Sequence, residues 1–342
     1  RKMTDSIKDI DLIDGSTDLK TVIGIIARVA IGLSTIISLG ELYENSQVEI
    51  GSNTDGDEQK SLDVIADCEY FEALKGSPVA AYVSEEREGL TILNDKGSLL
   101  LAIDPLDGSS NIETNLSIGS IFSIREYSAG SNKNDIKEQF LRPGSEQMAA
   151  GYIIFGPQTI LVVTTGNGVL QYVLNREKKQ FLLAKHGIKI PADTQEYAVN
   201  ASNARHWSKP MRLYIEDSNA GEAGPRDVNF NMRWVASLVA ETHRILSRGG
   251  IFIYPADSRK TYEVGRLRMV YECAPIAFLI EQAGGGATNC IDRILDQPIL
   301  SLHARTPFAF GSINETTRLQ SYHDLPKEET SPLFGRRGLF SS

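Results

Sequence analysis

The chain has 342 residues, 41% hydrophobic and 23% charged, with a formal net charge of −9. That length and composition suit one large or two ordinary domains with sizeable apolar cores. The acidic balance argues against a general nucleic-acid binder or a protein held on an anionic membrane, so any phosphate chemistry needs metal ions and placed Arg residues to offset the local charge. Cys68, Cys273 and Cys290 form no CxxC or zinc-type spacing, which points to a reducing compartment, the cytoplasm, and no structural disulfide. The first twenty residues are charged and lack the apolar core of a secretion signal.

In chain order, 1–16 read as poorly ordered and 18–42 as a helix capped by Ser16 or Thr17. Within it, 22–39 are mostly apolar. Arg28 stands in their middle, where a bilayer centre would charge about 2.5 kcal/mol or more for it. Lys20, Gly24, Arg28 and Gly32 recur every four residues, so an amphipathic helix on a soluble core is the reading. A polar loop at 51–58 precedes a helix at 61–74. Strands are expected at 80–84, 98–103, 117–124, 148–155, 159–165, 169–175 and 180–183, with a hairpin around Gly156-Pro157.

Near Ile188–Ala192 the character changes. A strand at 197–200 and a polar loop at 215–230 are followed by a helix at 234–248, a strand at 251–254 and a helix at 271–283, stopped by Gly284-Gly285-Gly286. Irregular alternation of strands and helices predicts a layered α/β architecture with mixed sheets. The division falls into an N-terminal α+β domain, 1–188, a C-terminal α/β domain, 189–325, and a tail, 326–342.

The run 101–111 joins an apolar strand to Asp104, Pro105, Leu106, Asp107, Gly108, Ser109, Ser110 and Asn111. Two carboxylates three residues apart on a tight turn can point at one spot, and such hard oxygen ligands suit Mg²⁺ or Mn²⁺. Gly108 lets the backbone approach a ligand, and the amides after it can face an anion. The same composition also suits a plain turn. Other acids stand where elements end: Asp57, Asp63, Glu85 and Glu86. Glu272 lies on an otherwise apolar helix, where a carboxylate must be paired or bound to metal. If Glu85, Asp104, Asp107 and Glu272 converge, they can hold two or three divalent ions.

The run from Asp104 to Asn115, followed by 118–124, resembles class I fructose-1,6-bisphosphatase. So do 83–86, 149–152, 250–255 and 267–273, and the resemblance runs in order from about Asp18 to Pro326. It implies the sugar-phosphatase fold, an αβαβα sandwich, and Mg²⁺-dependent hydrolysis of D-fructose 1,6-bisphosphate, in gluconeogenesis or the Calvin cycle. Carried over by position, Glu85, Asp104, Asp107, Glu272 and the Leu106 carbonyl would be metal ligands. Glu86 and Asp63 would orient or deprotonate the attacking water, with Asp57 and Arg268 as an upstream acid and a downstream Arg. Gly108, Ser109 and Ser110 would hold the 1-phosphate. Asn200, Tyr254, Arg266 and Arg233, the last from a neighbouring subunit of a homotetramer, would hold the 6-phosphate. The only other partner implied is the sugar bisphosphate.

Three pocket positions depart from the family's usual pattern: Trp234 stands for a Tyr, Asn203 for another Tyr, and Arg266 for a Lys. These changes bear on sugar discrimination, so sedoheptulose 1,7-bisphosphate stays open as a substrate. A non-catalytic sugar-phosphate sensor is the alternative class, weakened by the complete acid set. Family members inhibited by AMP use a Thr-Gly-Glu-Leu turn, a Lys-Tyr pair and a later Arg. Here the matching positions read Ser16-Thr17-Asp18-Leu19, Ser98-Leu99 and Glu126, which predicts weak or absent AMP inhibition.

Overall fold

A computed structural model describes residues 6–43, 61–129 and 133–324. They form two compact units. Unit 1 comprises the described residues up to Phe140 with Met148–His186, and unit 2 comprises Leu141–Gln147 with the described residues from Gly187.

Unit 1 opens with helix α1 (Thr17–Leu39), whose first turn is capped by Ser16: its side-chain oxygen accepts from the Leu19 amide at 3.2 Å. Helix α1 is long and apolar enough to cross a membrane by length and mean hydropathy, 2.2. In the structure its apolar face, including Val22, Ile23, Ile26 and Leu33, lies in the core of unit 1, and Arg28 is exposed. Residues 6–16, expected to be poorly ordered, do fold. Ile7 bridges to Phe181, a short 3₁₀ turn covers Ile10–Leu12, and Ile7 and Ile13 are buried. Its apolar residues, Ile7, Ile10, Leu12 and Ile13, are interleaved with Asp9, Asp11 and Asp14 over too short a span to show a period in the sequence.

Helix α2 (Leu62–Leu74) packs on an eight-stranded sheet. Its strands are β1 (Val79–Ser84), β2 (Thr91–Ile92), β3 (Leu99–Asp107), β4 (Ile118–Glu126), β5 (Ala149–Phe155), β6 (Thr159–Thr164), β7 (Val169–Asn175) and β8 (Gln180–His186), ordered β2-β1-β3-β4-β5-β6-β7-β8. Strands β1 and β3 are parallel and the other neighbours antiparallel. Helix α3 (Lys133–Phe140) follows β4. Strands β1, β3, β5 and β6 are buried along their whole length, which is why they read as continuous apolar runs rather than alternating ones.

Unit 2 holds β9 (Glu196–Ala198), α4 (Lys209–Asn219), β10 (Asn231–Met232), α5 (Leu238–Arg248), β11 (Ile251–Tyr254), β12 (Leu267–Arg268), α6 (Ala274–Gln282), β13 (Gly286–Thr288), β14 (Arg305–Thr306), β15 (Phe308–Gly311) and α7 (Ile313–Asp324). Its main sheet runs β10-β9-β11-β15-β13, with β12 and β14 as a separate ribbon. Both units are mixed α/β with mixed sheets.

Three expected boundaries shift. Helix α4 takes 215–219 from the expected polar loop: Ser208 caps it, Pro210 sits in its first turn, and Met211, Tyr214 and Ile215 face the core. The helix expected from 234 begins at Leu238, because Trp234 is stacked on Phe252 and Ala236 adopts a left-handed φ of 60°. The helix expected from 271 opens as a π-helical turn, Met269–Cys273, before α6.

Candidate active site

In unit 1, pairing brings the ends of β1 and β3 side by side: Ser84 lies opposite Ile103, and the Glu85 amide donates to the Ile103 carbonyl at 3.0 Å. Glu85 and Glu86 therefore leave the sheet beside Asp104. Strand β3 runs on to Asp107 through an irregularity against β4, where the Asp104–Ile121 pair is followed by Asp107–Gly119. Three steps on one strand face two on the other, a bulge that re-aims the side chains at the strand end. Asp104 and Asp107 are both buried, and each brings a carboxylate oxygen within 4.8 Å of the other. Asp104 Oδ1 also accepts from the Leu106 amide at 3.1 Å, which closes the turn.

Gly108 then adopts φ 78°, a left-handed conformation that favours glycine, and Ser109–Asn111 form one 3₁₀ turn. Ser109 and Ser110 are exposed beyond it. The helix that would focus phosphate-binding amides is thus a single short turn. Asp63 sits in the first turn of α2, half-buried, with Oδ1 accepting from the Val64 amide at 3.0 Å. Asp57 lies outside the described residues, as does the tail.

In unit 2, Glu272 is buried within the π-helical turn, and its Oε2 accepts from the Arg268 amide at 2.7 Å. Such turns are often placed where function demands an irregular side-chain direction. Arg268 meets Nδ1 of His303 through Nη1 at 2.9 Å, and the His303 ring packs on Tyr271 at 5.3 Å between centroids. No local motif marks His303, so sequence reasoning missed it.

A shallow recess in unit 2 is lined by Val199, Asn200, Asn203, Trp207, Tyr254 and Asp257. Asn200 caps a 3₁₀ turn, accepting from the Ser202 amide and hydroxyl. Burial pushes the Tyr254 phenol up, opposed by the positive charge of Arg266. Arg266 also lies over the Tyr262 ring, 4.2 Å from its centroid. Trp234 stacks on Phe252 at 5.8 Å and meets Tyr254 edge-on at 6.4 Å. Asn200, Tyr254, Arg266 and Trp234 thus belong to one neighbourhood. Arg233, exposed, turns its Nε to Glu196 Oε1 at 3.1 Å.

Asp104 and Asp107, buried carboxylates at a strand end, offer a hard-oxygen donor set that fits Mg²⁺. A donor set of this kind at a strand end is what metal-assisted phosphoryl chemistry uses. The family profile described as fructose-1-6-bisphosphatase, N-terminal domain, matches residues 9–186, and its C-terminal domain matches 190–324. A class 1 fructose-1,6-bisphosphatase of Cereibacter sphaeroides is 56% identical over 325 residues, covering 95% of this chain and 96% of that protein. A second one from the same organism is 53% identical over 341 residues, covering 99% of this chain and all of that protein. The crystal structure of Leishmania major fructose-1,6-bisphosphatase in holo form superposes with a TM-score of 0.81 at 32% identity, covering 91% of this chain and 96% of that one. The chain belongs to the fructose-1,6-bisphosphatase family.

Proposed function

We propose that the chain hydrolyses D-fructose 1,6-bisphosphate to D-fructose 6-phosphate and phosphate. The observation that carries this reading is the bulged end of β3, with the Asp104 and Asp107 carboxylates within 4.8 Å, in a chain whose relatives carry that activity in their names. The residues that would hold Mg²⁺, or alternatively Mn²⁺, at two or three positions are Glu85, Asp104, Asp107, Glu272 and the Leu106 carbonyl; Glu272 is assigned to this set on the resemblance. Bound there, the ions would polarise a phosphoryl oxygen, lower the pKa of water and stabilise the leaving oxygen.

The chain's own groups do the rest by positioning and electrostatics, as in-line phosphoryl transfer requires. The amides of Gly108 and Ser109 and the Ser110 hydroxyl bind the 1-phosphate. Glu86 and Asp63 take the proton of the attacking water, with Asp57 and Arg268 as a supporting acid and cation. His303 holds the Arg268 guanidinium in one orientation. Asn200, Tyr254 and Arg266, with Arg233 of a neighbouring subunit, bind the 6-phosphate, and the planar Arg fork suits its oxygens. The Trp234 indole N–H can donate where a Tyr would offer a hydroxyl. This assignment implies a homotetramer, or at least a dimer. In this reading the chain divides into domains at 188/189, resides in the cytoplasm and serves gluconeogenesis or the Calvin cycle.

The test is phosphate release from fructose 1,6-bisphosphate and sedoheptulose 1,7-bisphosphate, with Mg²⁺ or EDTA, using wild type and Asp104→Asn. Metal-dependent release from the fructose substrate, lost in the variant, is the expected result. No release by folded protein moves the reading to a sugar-phosphate sensor. A comparable rate on the sedoheptulose substrate is the second reading, favoured by the indole of Trp234 set edge-on to Tyr254.

A further inference from the structure

The strongest unassigned group outside the described site is a buried acid on α2. Asp63, Asp67 and Tyr70 recur at i, i+4 and i+7, so they share one face of that helix. Asp67 is 4% exposed, and both its oxygens are used. Oδ1 accepts from Tyr82 Oη at 2.8 Å, and Oδ2 accepts from Arg87 Nε at 2.6 Å. Tyr82 lies in β1, and Arg87 directly follows Glu86. One carboxylate therefore ties α2 to both the strand before the Glu85-Glu86 turn and the residue after it. Arg87 is gripped further: its guanidinium lies 4.1 Å from the Phe71 ring centroid, and its amide donates to the Ser84 carbonyl at 3.2 Å.

The same helix face reaches the other acid-bearing turn. Tyr70 Oη donates to Ser120 Oγ at 2.9 Å, and Ser120 Oγ donates to the Pro105 carbonyl at 2.8 Å. Pro105 stands between Asp104 and Leu106. Helix α2 thus carries Asp63 and fixes both turns, one through Asp67 and Arg87, the other through Tyr70 and Ser120.

We propose that Asp67 and Arg87 are positioning residues for hydrolysis: their ion pair sets the Glu85-Glu86 turn at its working distance from Asp63 and from the Asp104–Asp107 turn. This rests on the roles given above to Glu85, Glu86 and Asp63. Ligands and bases must be held within about 0.5 Å of productive geometry, and a misplacement of about 1 Å costs about a hundredfold. A pair that stores no substrate contact of its own can therefore be worth much in rate.

The experiment measures kcat, KM, the Mg²⁺ concentration for half-maximal rate, Mn²⁺ binding by electron paramagnetic resonance, and melting temperature. The variants are Arg87→Ala, Arg87→Lys, Asp67→Asn and the double Asp67→Asn/Arg87→Ala, with Glu72→Ala on the same helix as a control. Arg87→Ala is expected to lower kcat by about tenfold or more and to weaken both Mg²⁺ activation and Mn²⁺ binding several-fold, with KM within about twofold. Arg87→Lys should fall between it and wild type, and the double variant should be no worse than the poorer single one, because the two act as a unit. A lower melting temperature with unchanged kcat, Mg²⁺ activation and Mn²⁺ binding would overturn the proposal. Should wild type release no phosphate, the functional reading fails separately, and the Mn²⁺ titration still decides: equal affinity in wild type and Arg87→Ala rejects the positioning role. Should Arg87→Ala not fold, Arg87→Lys carries the same comparison.

Discussion

The Ser98 hydroxyl donates to the Asp18 carboxylate, which joins the first turn of α1 to the residue just before β3. Strand pairing sets Glu126 opposite Leu99, one residue on. By the resemblance, these are the positions expected to correspond to the AMP-binding residues of AMP-inhibited family members. Here they present two carboxylates and a serine whose hydroxyl is already engaged. A nucleotide phosphate would meet negative charge at these positions where the AMP-inhibited members carry a Lys and an Arg. We expect micromolar AMP to leave the rate unchanged. Half-maximal inhibition in that range, read from initial-rate curves, counts against the assignment. Ser98→Lys combined with Glu126→Arg is expected to create measurable inhibition.

In unit 2, Arg226 and Glu315 form a buried ion pair at 2.6 Å, with side chains 4% and 5% exposed. Glu315 also accepts from Tyr214 Oη at 2.7 Å, and Arg226 donates to Ser218 Oγ at 3.0 Å. Removing one partner leaves an uncompensated buried charge, which costs about 3–5 kcal/mol. Glu315→Ala should lose stability on that scale in urea unfolding. Glu315→Ala/Arg226→Ala should lose clearly less than the sum of the two single changes, since the second removal deletes the orphaned charge. An additive result would mean the pair does not couple.

Both of those pairs join residues far apart in the chain, and that separation explains what the sequence could disclose. The β3 turn was legible because its chemistry is local: strand, two acids and a left-handed glycine within a few residues. Strands β1, β3, β5 and β6 were legible because continuous burial writes continuous apolar runs. Helix α4 was hidden, because its buried face of Met211, Tyr214 and Ile215 is interleaved with polar residues. Trp234 read as helix because an isolated aromatic cannot reveal that it will stack on Phe252 instead. His303 and the Asp67–Arg87 pair act through partners 35 and 20 positions away, and no spacing rule announces such contacts.

The cysteines offer a chemical check on the core. Burial pushes the Cys290 thiol up to about 12 and the Cys273 thiol well above its ordinary value, the latter with help from the Glu272 charge. Reactivity follows the thiolate fraction and access, so both should resist alkylation in the native protein. Cys68, half-buried on α2, is the accessible one. Brief iodoacetamide treatment at mildly alkaline pH, followed by peptide mass mapping, should label Cys68 ahead of the other two. All three are free thiols, so a reductant should not change the rate. Rapid labelling of Cys273 or Cys290, or a large activation by reductant, would contradict the packing described.

Glu196 and Glu241 share Arg244 yet should respond to pH in opposite directions. Glu196 accepts from Arg248, Arg233 and Arg244. Burial pulls its carboxyl upward, but the hydrogen bonds and charges of Arg248 and Arg233 hold it below its ordinary 4.5. A depressed carboxyl contributes stability that is present above 4.5 and is lost as pH falls through the folded value. Glu241, fully buried, is pushed above 4.5 by burial despite Arg244 and the Val235 amide, so its contribution is present in acid and lost as pH rises through its folded value. Arg233 and Arg248 are 50% exposed, which limits the Glu196 cluster to about 1 kcal/mol and makes it salt-sensitive. Glu196→Gln should therefore be less stable than wild type at neutral pH by about that amount. The gap should close in acid and shrink in high salt. Urea unfolding of both proteins across the pH range measures it, and a gap that widens in acid would show that the arginines do not hold the carboxylate charged.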